Sequence, residues 1–122
     1  MLKPAVYFLS FVFLFSLSAC KINQYKDGLR TGLWVSKTDD ADVVYKSRGR
    51  YTNGKEKGVW KYFQNDTLYQ KDKYSGNKAL VTFYHPNKKI RSTGKTQLDL
   101  TVKQLHWYYT GDWKYFDKEG RL

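Results

Sequence analysis

The sequence predicts an all-β fold: an antiparallel meander of β-hairpin repeats stacked as a short, curled single sheet. Three observations predict it. A phrase is used twice, Gly58-Val59-Trp60-Lys61-Tyr62-Phe63 and Gly111-Asp112-Trp113-Lys114-Tyr115-Phe116, with an earlier echo at Gly32-Leu33-Trp34. Candidate strands recur every 8 to 12 residues, separated by turn residues. No stretch after residue 20 keeps a helical spacing of apolar residues. A degenerate copy, Val81 to Ile90, has Val81 where the others have Trp. The marks at 34, 60, 81 and 113 are 26, 21 and 32 residues apart, a repeat period rather than chance. Every link is short, so sequence neighbours should pair antiparallel. A small closed barrel is the alternative, because closure removes sheet edges.

Within the phrase, alternation puts Trp60 and Tyr62 on one face and Val59 and Phe63 on the other. Trp34, Trp60, Tyr62, Phe63, Trp113, Tyr115 and Phe116 are the expected repeat core. A row of Trp60, Tyr62, Trp113 and Tyr115 should share one face, with Trp60 and Trp113 equivalent and buried. The glycine two residues before each Trp (Gly32, Gly58, Gly111) suits a turn or bulge that needs positive φ.

The elements follow in order. Residues 1–19 read as an export signal: Lys3 precedes an apolar run of about a dozen residues, too short to span a bilayer as a helix. Leu17-Ser18-Ala19-Cys20 resembles a bacterial lipobox, which makes Cys20 the lipidation site and the membrane anchor. Cys20 is the single cysteine, so no intrachain disulfide is available. Residues 20–27 should be the lipidated cysteine and a tether, and 28–122 the repeat domain. Asp27-Gly28 turns into a strand over Gly28 to Ser36. Lys37 to Asp42 reads as a solvated turn. Its Asp39, Asp40 and Asp42 lack the regular spacing, glycine and distal glutamate of a Ca²⁺ loop, so no metal is expected. Val43 to Tyr51 is a strand closed by Asn53-Gly54, the strongest hairpin signal in the chain. Leu68 to Tyr74 should pair with the first full phrase, Ser75-Gly76-Asn77 turns, and Ala79 to Tyr84 returns. His85-Pro86-Asn87 turns again before Ile90 to Thr96. Leu98, Leu100 and Val102 share one parity, and Leu105, Trp107 and Tyr109 the other. A bulge or tight bend near Lys103-Gln104 must therefore absorb one residue. Thr110-Gly111 should turn into the last phrase.

The run Tyr51-x-Asn53-Gly54-Lys55-x-x-Gly58-x-Trp60, followed by an aromatic, a turn and an aliphatic, resembles the variant of the MORN (membrane occupation and recognition nexus) repeat found in bacterial envelope proteins. Some of those relatives carry an antitoxin-component label. The resemblance covers residues 27–122 and departs around Val81 to Lys89. It implies a non-catalytic interaction or scaffold module and brings no catalytic residue. The resemblance to lipoproteins also favours the periplasmic side of the envelope, since the acidic run that surface-exported ones of some bacterial groups carry does not follow Cys20.

Composition narrows the function classes. The formal charge is +11, or +10 without Lys3, which favours anionic partners. Export argues against nucleic acid. An envelope protein partner is expected, with an anionic lipid or glycan as the alternative ligand. The one compact basic run, Lys88-Lys89 with Arg91, is the candidate contact for it. No phosphate loop, nucleophile elbow or zinc-helix motif is present, so no enzyme and no cofactor is expected. His85 and His106 read as turn or surface histidines. Asp66, Asp72, Asp99, Asp112 and Asp117 read as turn residues or as residues between lysines.

Overall fold

The computed structural model describes residues 21–101 and 106–122. Among them there is no helix. Eight strands run in chain order: β1 (Gln24–Lys26), β2 (Leu29–Asp40), β3 (Val43–Thr52), β4 (Lys55–Gln64), β5 (Thr67–Ser75), β6 (Lys78–Tyr84), β7 (Ile90–Asp99) and β8 (His106–Tyr115). They form one sheet in the order β1 to β8, each pair antiparallel. β1 and β8 do not pair, so the sheet is an open meander and not a barrel.

Tight turns set the register. Asp27-Gly28, Asn53-Gly54 and Asn65-Asp66 are two-residue links with both residues at positive φ, between 49° and 77°. That geometry matches the right-handed twist of the strands it joins.

The register then shows what the repeated phrase does. Gly32, Gly58 and Gly111 all have φ of 70° or 71°. Each lies inside a strand, so Gly111 is not the turn expected there. Arg48 faces Lys61 and Arg50 faces Lys57, so Gly49 alone opposes Gly58-Val59-Trp60. Thr93 faces Lys114 and Lys95 faces Thr110, so Gly94 alone opposes Gly111-Asp112-Trp113. Each phrase is a bulge that drops its Trp ring onto a glycine of the neighbouring strand. A Cβ at Gly49 would stand 2.0 Å from the Trp60 ring, and one at Gly94 2.1 Å from Trp113. Gly in a strand interior marks such a close approach.

The first repeat solves the same problem with an amide. Asn23, at φ 57°, donates its backbone N–H to Leu33 O at 2.9 Å. Its side chain accepts from Val35 N–H at 2.8 Å and donates to Val35 O at 3.0 Å. Residues 24–26, expected as tether, therefore belong to the sheet. The indole N–H of Trp34 donates to Gln24 O at 3.2 Å, and that of Trp60 to Arg50 O at 3.1 Å. These are the same bond in two repeats.

Other boundaries move as well. β2 runs on to Asp40 and turns at Ala41-Asp42, because nine residue pairs with β3 outweigh the polar character of Lys37 to Asp40. β7 extends to Asp99. Leu98 faces Trp107, so the chain reverses between them. The bend expected at Lys103-Gln104 lies outside the described residues, as do residues 1–19 and Cys20.

Cross-strand pairs assign the two faces. Trp34, Gly49, Trp60, Asp72, Val81 and Gly94 share one face. That face holds most of the buried side chains: Trp60, Asp72, Ala79, Val81, Ser92, Thr96 and Leu98. With no second layer among the described residues, burial comes from rings lying over neighbours and from the curl of the sheet. No large side chain is completely shielded.

Candidate functional site

The inner face is an aromatic ladder. Tyr25 meets Trp34 edge-on with centroids 5.3 Å apart, Trp34 meets Tyr51 at 5.7 Å, and Tyr51 meets Trp60 at 4.9 Å. Further along, Tyr74 meets Trp107 at 5.1 Å and Tyr109 meets Trp113 at 4.7 Å. Edge-to-face pairs of this kind add about 0.5–1.5 kcal/mol beyond their burial. The Arg30 guanidinium lies 4.8 Å over the Trp34 ring and donates to Tyr51 Oη at 3.2 Å.

The expected core residues distribute unevenly. Trp60 is buried at 5% exposure, while Trp34, Tyr62 and Trp113 are half-buried on the same face. Trp113 is equivalent to Trp60 in geometry but less covered, and its indole nitrogen has no hydrogen-bond partner among the described residues. Phe63 points to the other face, opposite Lys46. Tyr115 is 67% exposed, so the expected buried row ends at Trp113. Phe116 lies past the end of β8, tied by its N–H to Arg91 O at 2.8 Å and by its carbonyl to His85 Nε2 at 2.9 Å. Gly54 donates its N–H to Arg30 O of β2 at 2.9 Å, which ties the β3–β4 turn to the neighbouring strand.

The third repeat breaks the pattern. Asp72 stands where the others have Gly49 and Gly94, and it faces Val81 in place of a Trp, with no bulge at that point. Asp72 does lie between lysines, as the sequence reading had it, and the register adds which way each side chain faces. Lys71 and Lys73 point outward, and Asp72 points into the aromatic face at 5% exposure. Gln70 Nε2 donates to its two oxygens at 3.0 and 3.2 Å, and Tyr74 Oη donates at 3.3 Å. Burial raises the Asp72 pKa, and nearby Glu56 raises it further, against the lowering effect of those hydrogen bonds. Burial, with the Asp72 charge, also raises the phenol pKa of Tyr62; in Tyr74, burial and then neighbouring Tyr62 and Asp72 do so.

The outer face is basic. One row runs across the sheet as Val35, Arg48, Lys61, Lys71, Thr82, Thr93 and Lys114. A second runs Leu33, Arg50 and Lys57, and a third Val59, Lys73, Leu80, Lys95 and Thr110. None of these cations forms an ion pair among the described residues, where the pairs are Lys46–Asp66, Arg121–Asp117 and Arg121–Glu119. Like charges directly opposite one another destabilise a sheet. Arg48, Lys61 and Lys71 therefore stand in register at a cost to the fold. The signal was available as i, i+2 spacing in Lys46-x-Arg48-x-Arg50, Lys55-x-Lys57 and Lys71-x-Lys73. The expected run Lys88, Lys89 and Arg91 does not converge. Lys88 shapes the turn at φ 73°, Lys89 Nζ donates to Glu119 O at 3.3 Å, and Arg91 lies 5.4 Å over the Phe83 ring on the inner side.

Among the described residues no three His, Cys, Asp or Glu side chains cluster to hold a metal ion. Comparison with protein-family models, with curated proteins and with solved structures finds no match to this chain.

Proposed function

We propose that the chain is a non-catalytic interaction module of the cell envelope, built from MORN-like hairpin repeats and held at a membrane by lipid on Cys20. The observation that supports this best is the open single sheet. Its inner face carries Tyr and Trp rings with no second layer over them among the described residues, and Tyr109 and Tyr115 are each 67% exposed. Exposed aromatic patches mark interaction sites, and Tyr and Trp dominate interface hot spots. The partner on this reading is another envelope protein. A photo-crosslinking residue placed at Tyr109 or Tyr115 in intact cells should give one discrete adduct, and one placed at Lys61 none. A smear or equal capture at all three positions overturns the reading. Replacing Cys20 with Ala should move the protein from the membrane to the soluble fraction, and retention in the membrane would contradict the anchor.

The basic outer face favours a second reading, contact with anionic lipid headgroups or glycan. Residues 21–122, which hold all eight strands, should co-sediment with anionic vesicles at low salt and lose them as salt rises. Charge reversal at Arg48, Lys61 and Lys71 should weaken this more than reversal at Lys88, Lys89 and Arg91. Equal binding to neutral vesicles removes this reading.

A further inference from the structure

The departure of the third repeat opens a cleft of about 460 Å³ on the inner face. Gln70, Asp72, Tyr74, Val81, Trp107 and Tyr109 line it. In the second and fourth repeats a Trp ring fills the corresponding place by lying on a glycine. Here Val81 leaves the place open among the described residues, and a carboxylate looks into it. The chain has 22 Lys and Arg, yet none among the described residues comes within ion-pair distance of Asp72. Glu56 is not in the cleft lining but lies near enough to act on the Asp72 charge, and its buried Oε2 accepts no hydrogen bond among the described residues. A buried carboxylate without a cation is a costly arrangement that a cationic ligand relieves. Aromatic rings at its rim suit the same ligand, since their faces attract cations and cover attached carbon.

We propose that this cleft binds a primary ammonium group, the –NH₃⁺ set against Asp72 and its carbon substituent against Trp107 and Tyr109. The basic outer face does not oppose this strongly. Those charges act through solvent and fade within about 8 Å at physiological salt, whereas the carboxylate acts at contact in a drier site. Amino sugars and lysine side chains carry this chemistry, and the probes below separate the two.

The test follows the indole N–H resonance of Trp107 in the ¹⁵N-labelled full chain in detergent micelles. The probes are glucosamine and the peptide Gly-Lys-Gly, with N-acetylglucosamine and Gly-Gln-Gly as uncharged controls. At least one amine should shift the resonance saturably, with Kd on the order of a millimolar, as fits a small ligand making one charged contact. Its control should not. Asp72→Asn should weaken binding about tenfold or more. Glu56→Gln should weaken it about threefold, and it carries the test if Asp72→Asn does not fold. Glucosamine alone points to an amino-sugar ligand, and the lysine peptide alone to a protein partner; either supports the proposal. No saturable shift with either amine overturns it, as does an equal shift with the matched control or unchanged affinity in the charge-neutral variants.

Discussion

The hairpins β3–β4 and β5–β6 occupy adjacent places in one sheet and solve the same problem in opposite ways. In the first, Gly49 opposes a three-residue bulge and Trp60 lies on it, its indole N–H bonded to Arg50 O at 3.1 Å. In the second, Asp72 opposes Val81 in an unbroken register, and a polar network replaces the ring. One hairpin makes core from an aromatic on bare backbone. Its neighbour has a buried carboxylate and no such ring. The contrast teaches that the second and fourth repeats are each a unit of two residues on two strands, a glycine and a tryptophan, and not a six-residue phrase on one strand.

The largest break in this comparison is the ring itself. Trp60→Ala should cost about 3–5 kcal/mol in chemical denaturation, the range for a buried aromatic. Trp113→Ala should cost less, since its ring is half-buried and its nitrogen unpartnered among the described residues. Equal losses would mean that the two repeats share more of the core than their exposures indicate.

Next comes the floor beneath the ring. Gly49→Ala places a methyl 2.0 Å from Trp60, and the clash is with a packed ring rather than the tip of a flexible chain. It should cost about 3 kcal/mol, at the upper end of overpacking. Gly58→Ala meets no atom within 4 Å and is strained only through its φ of 70°, so it should cost about 1–2 kcal/mol. The reverse ranking would make the bulge, and not the ring-on-glycine contact, the source of stability.

The sequence showed the phrase, its positive-φ glycines and the Asn53-Gly54 turn, because each is written in consecutive residues. It did not show Gly49 and Gly94. Each is a lone glycine between polar residues, and its partner ring sits 11 or 19 residues away on another strand. Asp72 was hidden for the same reason. Its lysine neighbours suggest a solvated strand, while alternation sends it to the other side. The basic face also needed parity carried across several turns, which the register supplies and local charge density does not. β1 is three residues long and is held by Asn23, so composition alone read it as tether.

The smallest expected effect concerns Asp72. Its folded pKa lies above the ordinary carboxylate value, chiefly through burial. A group raised in this way favours the fold at low pH. That contribution is complete below the unfolded pKa near 3.9 and disappears as pH rises through the folded value. The stability of the wild type relative to Asp72→Asn should therefore fall as pH rises above the unfolded value. A flat difference would show that the hydrogen bonds from Gln70 and Tyr74 fully offset burial.

The unit of glycine and tryptophan is tested most directly by a double-mutant cycle at Gly49 and Trp60, measured by denaturation of Gly49→Ala, Trp60→Ala and the double variant. If the ring rests on the glycine, removing it abolishes the clash. Gly49→Ala should then cost less than about 1 kcal/mol in the Trp60→Ala background, a coupling on the order of 2–3 kcal/mol. Additive costs, with Gly49→Ala as damaging without the ring as with it, would contradict the account.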